Sequence, residues 1–379
     1  MISGKPTCIS ALALFVTLMN PVGLAAQSAD LAAQTPQQRT RYIITDLGTL
    51  GGAADFSQAN GINNKGVVVG FSVPTGPFAI HAFRWQNGIM SDLGTLGGVN
   101  SYTLDDDHPV NEKGEIVGNS ENAIPDPNGE DVCNLGTHLE CVPFVWTDGT
   151  MTALPLLGGN NGNANGINNR GEIVGQAEGP DPDPCSPFAL QVSAVVWRNG
   201  QIERVLPAFG GSAAVAIAIN DNGDAVGLSG CNTSTFNAVL WRHGTPTNLG
   251  TLGGAFGNIP FDINNEDQVV GQSDLPGDLT HHAFLWQRGV ITDLGTIYDL
   301  PVSVANGINN KGQVVGFSQD LNGDFSSTVA WIWQDGTMTD LNTLVAGDSP
   351  LFLIEALGIN DRGQISGPAS CLPVREPGG

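Results

Sequence analysis

From Tyr42 onward, short runs of β-branched and aromatic residues alternate with breaks rich in glycine and asparagine. Val67-Val68-Val69, Ile116-Val117 and Val314-Val315 are apolar runs of the kind that suits strands. The break Asn63-Asn64-Lys65-Gly66 reads as a tight hairpin turn with glycine in the left-handed region. Asn87-Gly88, Asp148-Gly149, Asn199-Gly200 and Asp335-Gly336 mark a second kind of turn, each shortly after a tryptophan. The pattern therefore predicts four short strands per unit: an Ala-x-Gly-Ile-Asn strand, a Val-Val-Gly strand, a Trp strand and a strand running into Asp-Leu-Gly.

Three motifs carry this unit along the chain in fixed order. Asp46-Leu47-Gly48-Thr49-Leu50-Gly51-Gly52 returns unchanged from Asp92 and with one substitution from Asn248. Gly61-Ile62-Asn63-Asn64 returns from Gly166, Gly307 and Gly358, with variants from Pro109, Ala218 and Asp262. His81-Ala82-Phe83-Arg84-Trp85 has counterparts ending at Trp146, Trp197, Trp241, Trp286 and Trp333. Successive Ile-Asn positions (Ile62, Val110, Ile167, Ile219, Ile263, Ile308, Ile359) lie 44 to 57 residues apart. Four strands at that period predict an all-β propeller.

The phase of the repeat favours seven blades. A lone N-terminal strand from Tyr42 closes the last blade as its outer strand, which removes an exposed edge. The small residues Ala59, Gly61, Ala164, Gly166, Ala305 and Gly307 place the Ala-x-Gly-Ile-Asn strand innermost. The seventh unit, however, lacks a Trp strand, and Cys371-Leu372-Pro373-Val374 is a poor substitute. Six blades with an irregular closure is the runner-up, and an open β-solenoid comes third.

The motifs resemble the HAF-repeat family, bacterial proteins expected to be extracellular, named for the triplet at His81-Ala82-Phe83 and His282-Ala283-Phe284. The resemblance runs from about Tyr42 to Gly367. It implies export and repetition and brings no defined activity with it.

Residues 1–26 fit a secretory signal peptide, with Lys5 before an apolar stretch from Cys8 to Leu18 and small residues near Ala25 and Ala26. Residues 27–40 read as a linker and 41–379 as the propeller. No later stretch is apolar for long enough to span a bilayer, so a secreted or periplasmic monomer without stable membrane insertion is expected. Composition adds one exclusion. A formal charge of −23 with only 14 Lys and Arg repels nucleic acid. The 51 glycines are mostly accounted for by turns repeated unit by unit.

In this phase all the tight turns share one face, and the Leu-Gly-Gly connections and variable loops share the other. Function tends to sit on such loops. The longest loop carries Glu121, Asp126, Glu130, Asp131, His138 and Glu140, and the next carries Glu178, Asp181 and Asp183. Asp274 and Asp278 belong to the same face. Asp320, Asn322 and Asp324 have the opening spacing of a calcium loop but lack its glycine and distal glutamate, so calcium is the one cofactor the sequence suggests. His81 and His282 share one repeat position, which other units fill with Val142, Ser193 and Asn237, and so read as packing or surface residues. Ser72, Ser120, Ser229, Ser273 and Ser318 share another and read as strand-end hydrogen bonders. Asp46, Asp92, Asp293 and Asp340 read as turn formers. Asp105-Asp106-Asp107-His108 falls outside the repeat and reads as a solvated loop. The tryptophans read as packing between blades. No hydrolase, metalloprotease or phosphate-binding motif occurs.

The cysteines fit an oxidising compartment. Cys133 with Cys141 would close the longest loop, and Cys185 with Cys231 would cross-link neighbouring blades. Cys371 is left over. These readings favour a non-catalytic binding scaffold that takes an extracellular protein or glycan through its long-loop face. The alternatives are a hydrolase or lyase using loop carboxylates there, and a structural matrix component.

Overall fold

The computed structural model describes residues 9–16, 41–52, 56–104, 108–231, 236–323, 327–347 and 349–370. These build seven antiparallel sheets in a ring, a seven-bladed β-propeller. Blade one is typical: an inner strand Ser57–Ile62, a second Val68–Ser72, a third His81–Gln86 and an outer Ile89–Asp92. Turn chemistry sets this meander. Asn63 N–H bonds Val67 O at 3.1 Å, closing the Asn-Asn-Lys-Gly turn, and Gly66 sits at φ 74°. The turn after each tryptophan has two residues at positive φ, as in Asn87 (53°) and Gly88 (84°), the geometry that matches strand twist. His243-Gly244 and Arg288-Gly289 join the four such turns expected from sequence.

Every complete inner strand except that of blade two carries a register shift at its central residue, as between Ala59 and Gly61. The bulge drives a backbone carbonyl toward the next strand. A Cβ on Gly70 would lie 1.8 Å from Gln58 O, and one on Gly316 would lie 1.9 Å from Val304 O. The glycine of the Val-Val-Gly motif is thus required by close approach, a cause separate from turn formation.

The blades pack through apolar clusters that join neighbours. Trp241 of blade four is buried with Val174, Ala194 and Val196 of blade three. Trp197 packs likewise against Val117 and Leu154 of blade two. Their indole N–H groups donate to Pro207 O and Pro155 O at 2.8 Å in the connections from the preceding blade. Trp85, Trp197, Trp241, Trp286 and Trp331 are buried core residues, and Trp146 and Trp333 pack partly buried against the same kind of cluster.

Blade seven differs. Its outer strand is Tyr42–Asp46, as the repeat phase predicts, and its second strand is Ile365–Ser370. The inner edge is reduced to Phe352–Leu353 and Gly358–Ile359. Between the second and outer strands lies Ile9–Val16, from within the segment read as a signal peptide. The rest of that segment and the linker 27–40 lie outside the described residues, as do Cys371 and Asp105 to Asp107.

Candidate functional site

The axis of the ring is where all seven repeats meet, and its two ends are built differently. At the tight-turn end the first Asn of each Asn-Asn motif does two things. Its Oδ1 accepts the N–H groups of its own turn, as Asn63 Oδ1 does from Lys65 and Val67 at 3.0 Å. Its Nδ2 donates to the same residue's carbonyl in the next blade. Asn63 reaches Asn111 O, Asn111 Asn168 O, Asn168 Asn220 O, Asn220 Asn264 O, Asn264 Asn309 O, Asn309 Asn360 O, and Asn360 returns to Asn63 O, all at 2.8–3.2 Å.

A second ring lies beside it. The backbone N–H of Asn64, Glu112, Asn169, Asp221, Asn265, Asn310 and Asp361 each donates to the side-chain oxygen of the corresponding residue one blade on, at 2.7–2.9 Å. Glu112, Asp221 and Asp361 therefore serve as acceptors within this ring. Burial would push the Asp361 carboxyl up, but hydrogen bonds from Asn310 and Asn64 and the charge of Lys311 hold it below the ordinary range.

These rings frame a small polar mouth of about 220 Å3. At its floor His108 of blade two meets Asp262 of blade five, Nδ1 to Oδ1 at 2.8 Å, on the opposite side of the ring. Asp262 is buried and also accepts the N–H groups of Ile263 at 2.6 Å and Ile308 at 2.7 Å. Burial lowers the His108 pKa, while the charge and hydrogen bond of Asp262, with Asp361 and Asp221 farther off, outweigh it and leave the value raised. The solvated-loop reading of His108 is corrected: it stands one residue before Pro109, in the repeat, and braces the axis.

Below this strut the axis opens into an apolar chamber of about 590 Å3 at the long-loop end. Its walls include Phe71, Ile80, Tyr102, Asn165, Ile217 and Phe261, drawn from five blades, and Cys133 to Leu135 of the longest loop form its rim. That loop is tied to itself. Cys133 is disulfide-bonded to Cys141, Asp126 N–H bonds His138 O at 2.9 Å, and Asp131 accepts the N–H groups of Leu135 and Gly136. Cys185 and Cys231 join the equivalent loops of blades three and four.

The acids of this face are largely engaged in holding it together. Glu121, fully buried, accepts from Asn100 N–H at 3.1 Å, Asn100 Nδ2 at 2.9 Å and the Thr137 hydroxyl. Glu178 occupies the same repeat position and accepts from Asn160 and Asn161 N–H. Burial and the neighbouring Glu130 charge raise its pKa, and burial with Asp278 does the same for Asp274. Asp183 accepts Cys185 N–H at 2.9 Å, and Glu140 accepts from Asn122. In the calcium candidate, Asp320 Oδ1 accepts Asn322 N–H at 3.0 Å, and Asp324 lies outside the described residues. Among the described residues no group of three or more His, Cys, Asp or Glu is placed to hold a metal.

The repeated polar residues have structural partners. His81 Nδ1 pairs with Asp92 at 2.8 Å and His282 Nδ1 with Asp293 at 3.0 Å, across the third and outer strands of their blades. Blade four substitutes Asn237 and Asn248 at the same two places, joined at 2.9 Å. In sequence the two positions read His with Asp in blades one and five and Asn with Asn in blade four, while blade six keeps Asp340 with Val329. Ser72, Ser120, Ser229, Ser273 and Ser318 each accept a backbone N–H from the Leu-Gly-Gly connection or its counterpart, as Ser72 does from Leu50 at 3.0 Å.

No protein-family model and no curated protein matches the chain. Among solved structures it is similar to the acylaminoacyl peptidase of Pyrococcus horikoshii, at 12% identity and a TM-score of 0.47, covering 79% of this chain and 46% of that one. It is similar also to the β-propeller domain of the trilobed protease from Pyrococcus furiosus, at 10% identity and a TM-score of 0.47, covering 79% and 82%. A third is a puromycin-hydrolysing peptidase of Mycobacterium tuberculosis, at 13% identity and a TM-score of 0.43, covering 81% and 50%. The chain thus spans less than half the length of the first of these and half the length of the third.

Proposed function

We propose that the chain is an exported HAF-repeat scaffold that binds an apolar group, such as a side chain of an extracellular protein partner, at the long-loop end of its axis. The observation that carries this reading is the chamber of about 590 Å3. Its volume lies within the roughly 300–1,000 Å3 of small-ligand sites, and its aromatic and aliphatic walls suit an apolar guest. Export is supported by the leader-like N-terminus, by the disulfides Cys133–Cys141 and Cys185–Cys231, and by the absence among the described residues of any helix long and apolar enough to cross a membrane. Binding is preferred to hydrolysis because Glu121 and Glu178 on this face already accept backbone N–H groups.

Titration with the neutral dye Nile red tests the reading. Saturable fluorescence enhancement is expected, weakened at least tenfold by Ile217→Trp, which fills the chamber, and little changed by Ile89→Trp on an exposed outer strand. Equal binding by wild type and Ile217→Trp would overturn it.

A further inference from the structure

In each register-shifted inner strand the bulge leaves one residue without a cross-strand partner: Asn60, Asn165, Ile217, Phe261 and Asn306. Asn165, Ile217 and Phe261 come from consecutive blades, and all three stand in the wall of the chamber at the long-loop end. The bulge position is thus where the repeat meets whatever enters the chamber, and its side chain changes from blade to blade.

Asn165 is only 3% exposed, and its Nδ2 donates to Ala216 O of blade four at 2.8 Å. That bond fixes which way the amide lies, because a carbonyl can only accept. The amide oxygen therefore takes the side away from Ala216, and among the described residues Oδ1 has no hydrogen-bond partner. Asn60 and Asn306 share the habit, donating to Thr103 O and Ala356 O and leaving Oδ1 without a partner, but of the three only Asn165 belongs to the chamber wall. The other polar side chains of the chamber make no such demand. Tyr102 donates its hydroxyl to Cys133 O at 3.4 Å, and Asn134 is exposed at the rim. A buried acceptor left unpaired is costly, so the chamber asks its guest for one donor.

Building on the binding role given to this chamber above, we propose that its ligand is an aromatic group carrying one neutral donor, of the phenol type. Asn165 Oδ1 accepts the hydroxyl, and Phe71, Ile217 and Phe261 surround the ring. An ammonium group could meet the same oxygen, but it would lose its hydration among apolar walls. A hydroxyl reproduces the bond that water makes to such an oxygen, which an ether or a bare ring cannot do.

Calorimetric titration of the full chain with 2-naphthol and with 2-methoxynaphthalene tests this. In the wild type 2-naphthol is expected to bind about tenfold more tightly. Asn165→Leu is expected to abolish that preference while 2-methoxynaphthalene still binds. The bulge position accepts such a residue, since blade four already has Ile217 there. Asn306→Leu removes an equivalent bond between blades and is expected to leave the preference intact. Equal binding of the two ligands by wild type, or equal loss of preference in both variants, would overturn the assignment and leave the chamber reading standing. Binding of neither ligand would overturn both. Competition by N-acetyl-tyrosinamide but not by N-acetyl-phenylalaninamide supports a partner's tyrosine as the source of the phenol; competition by neither overturns that source in favour of a free phenol.

Discussion

The two ends of the propeller axis are built from the same strands and solve opposite problems. At the tight-turn end one motif is repeated by every blade, and each copy satisfies the next. Asn360 donates to Asn63 as Asn63 donates to Asn111, so the ring closes on itself without an end. At the long-loop end the loops between second and third strands differ from blade to blade, and polar groups there find partners locally, as Asp131 does within its own loop. Repetition at one end spends polar side chains on cohesion. Variation at the other leaves an apolar chamber that the scaffold does not fill.

The largest test of this contrast is the cross-link between loops at the variable end. Cys185 and Cys231 are 46 residues apart, and the chain-entropy model assigns a loop of that length about 4 kcal/mol. Replacing both with serine is expected to lower unfolding free energy toward that figure in urea denaturation, leaving the axial rings formed. An unchanged midpoint would show that the long-loop end is held by packing alone.

Asn220→Ala probes the repetitive end. It removes the bond to Asn264 O and leaves the N–H groups of Asn222 and Asp224 without their acceptor. A loss of about 3 kcal/mol is expected, measured by the same denaturation. A cost below about 0.5 kcal/mol would mean that water replaces the ring without penalty.

The shorter loop closed by Cys133 and Cys141, 8 residues apart, is worth about 2.5 kcal/mol by the same entropy argument. Because that loop rims the chamber, the double serine variant is expected to weaken Nile red binding, whereas the Cys185 and Cys231 variant is expected to leave it near wild type. Equal effects of the two variants on dye binding would remove the distinction between rim and cross-link.

The smallest effect concerns the strut between the two ends. The folded pKa of His108 is raised, so its pairing with Asp262 stabilises fully below the unfolded histidine value of about 6.5. That contribution is lost as pH rises through the folded value. The stability difference between wild type and His108→Gln is therefore expected to be larger at about pH 5.5 than at about pH 8.5. A difference that does not vary with pH would make His108 a packing residue only.

Much of this was legible from residue order. Alternation, Asn-Gly turns and the period of the Ile-Asn motif place the strands, because each repeat carries its own turn chemistry. Cys133 with Cys141 was expected to close the longest loop, and Cys185 with Cys231 to join loops at equivalent positions; both bonds form. His81 was read alone, and its meaning emerged only with Asp92, which lies across the strand pair. The reason for Gly70 was hidden too, since it depends on a bulged carbonyl in the neighbouring strand.

By itself the sequence determined the blade, the turns, the inner strand and the face on which variation gathers, all of which follow from local periodicity and backbone preference. The tertiary structure alone decided how the copies meet. Only in three dimensions does His108 reach Asp262 across the ring, and only there do five blades leave a chamber between them. Residues 9–16 take their place in the seventh blade by the same route. Contacts between distant repeats carry no signature in either repeat taken singly, because each is a property of the closed ring.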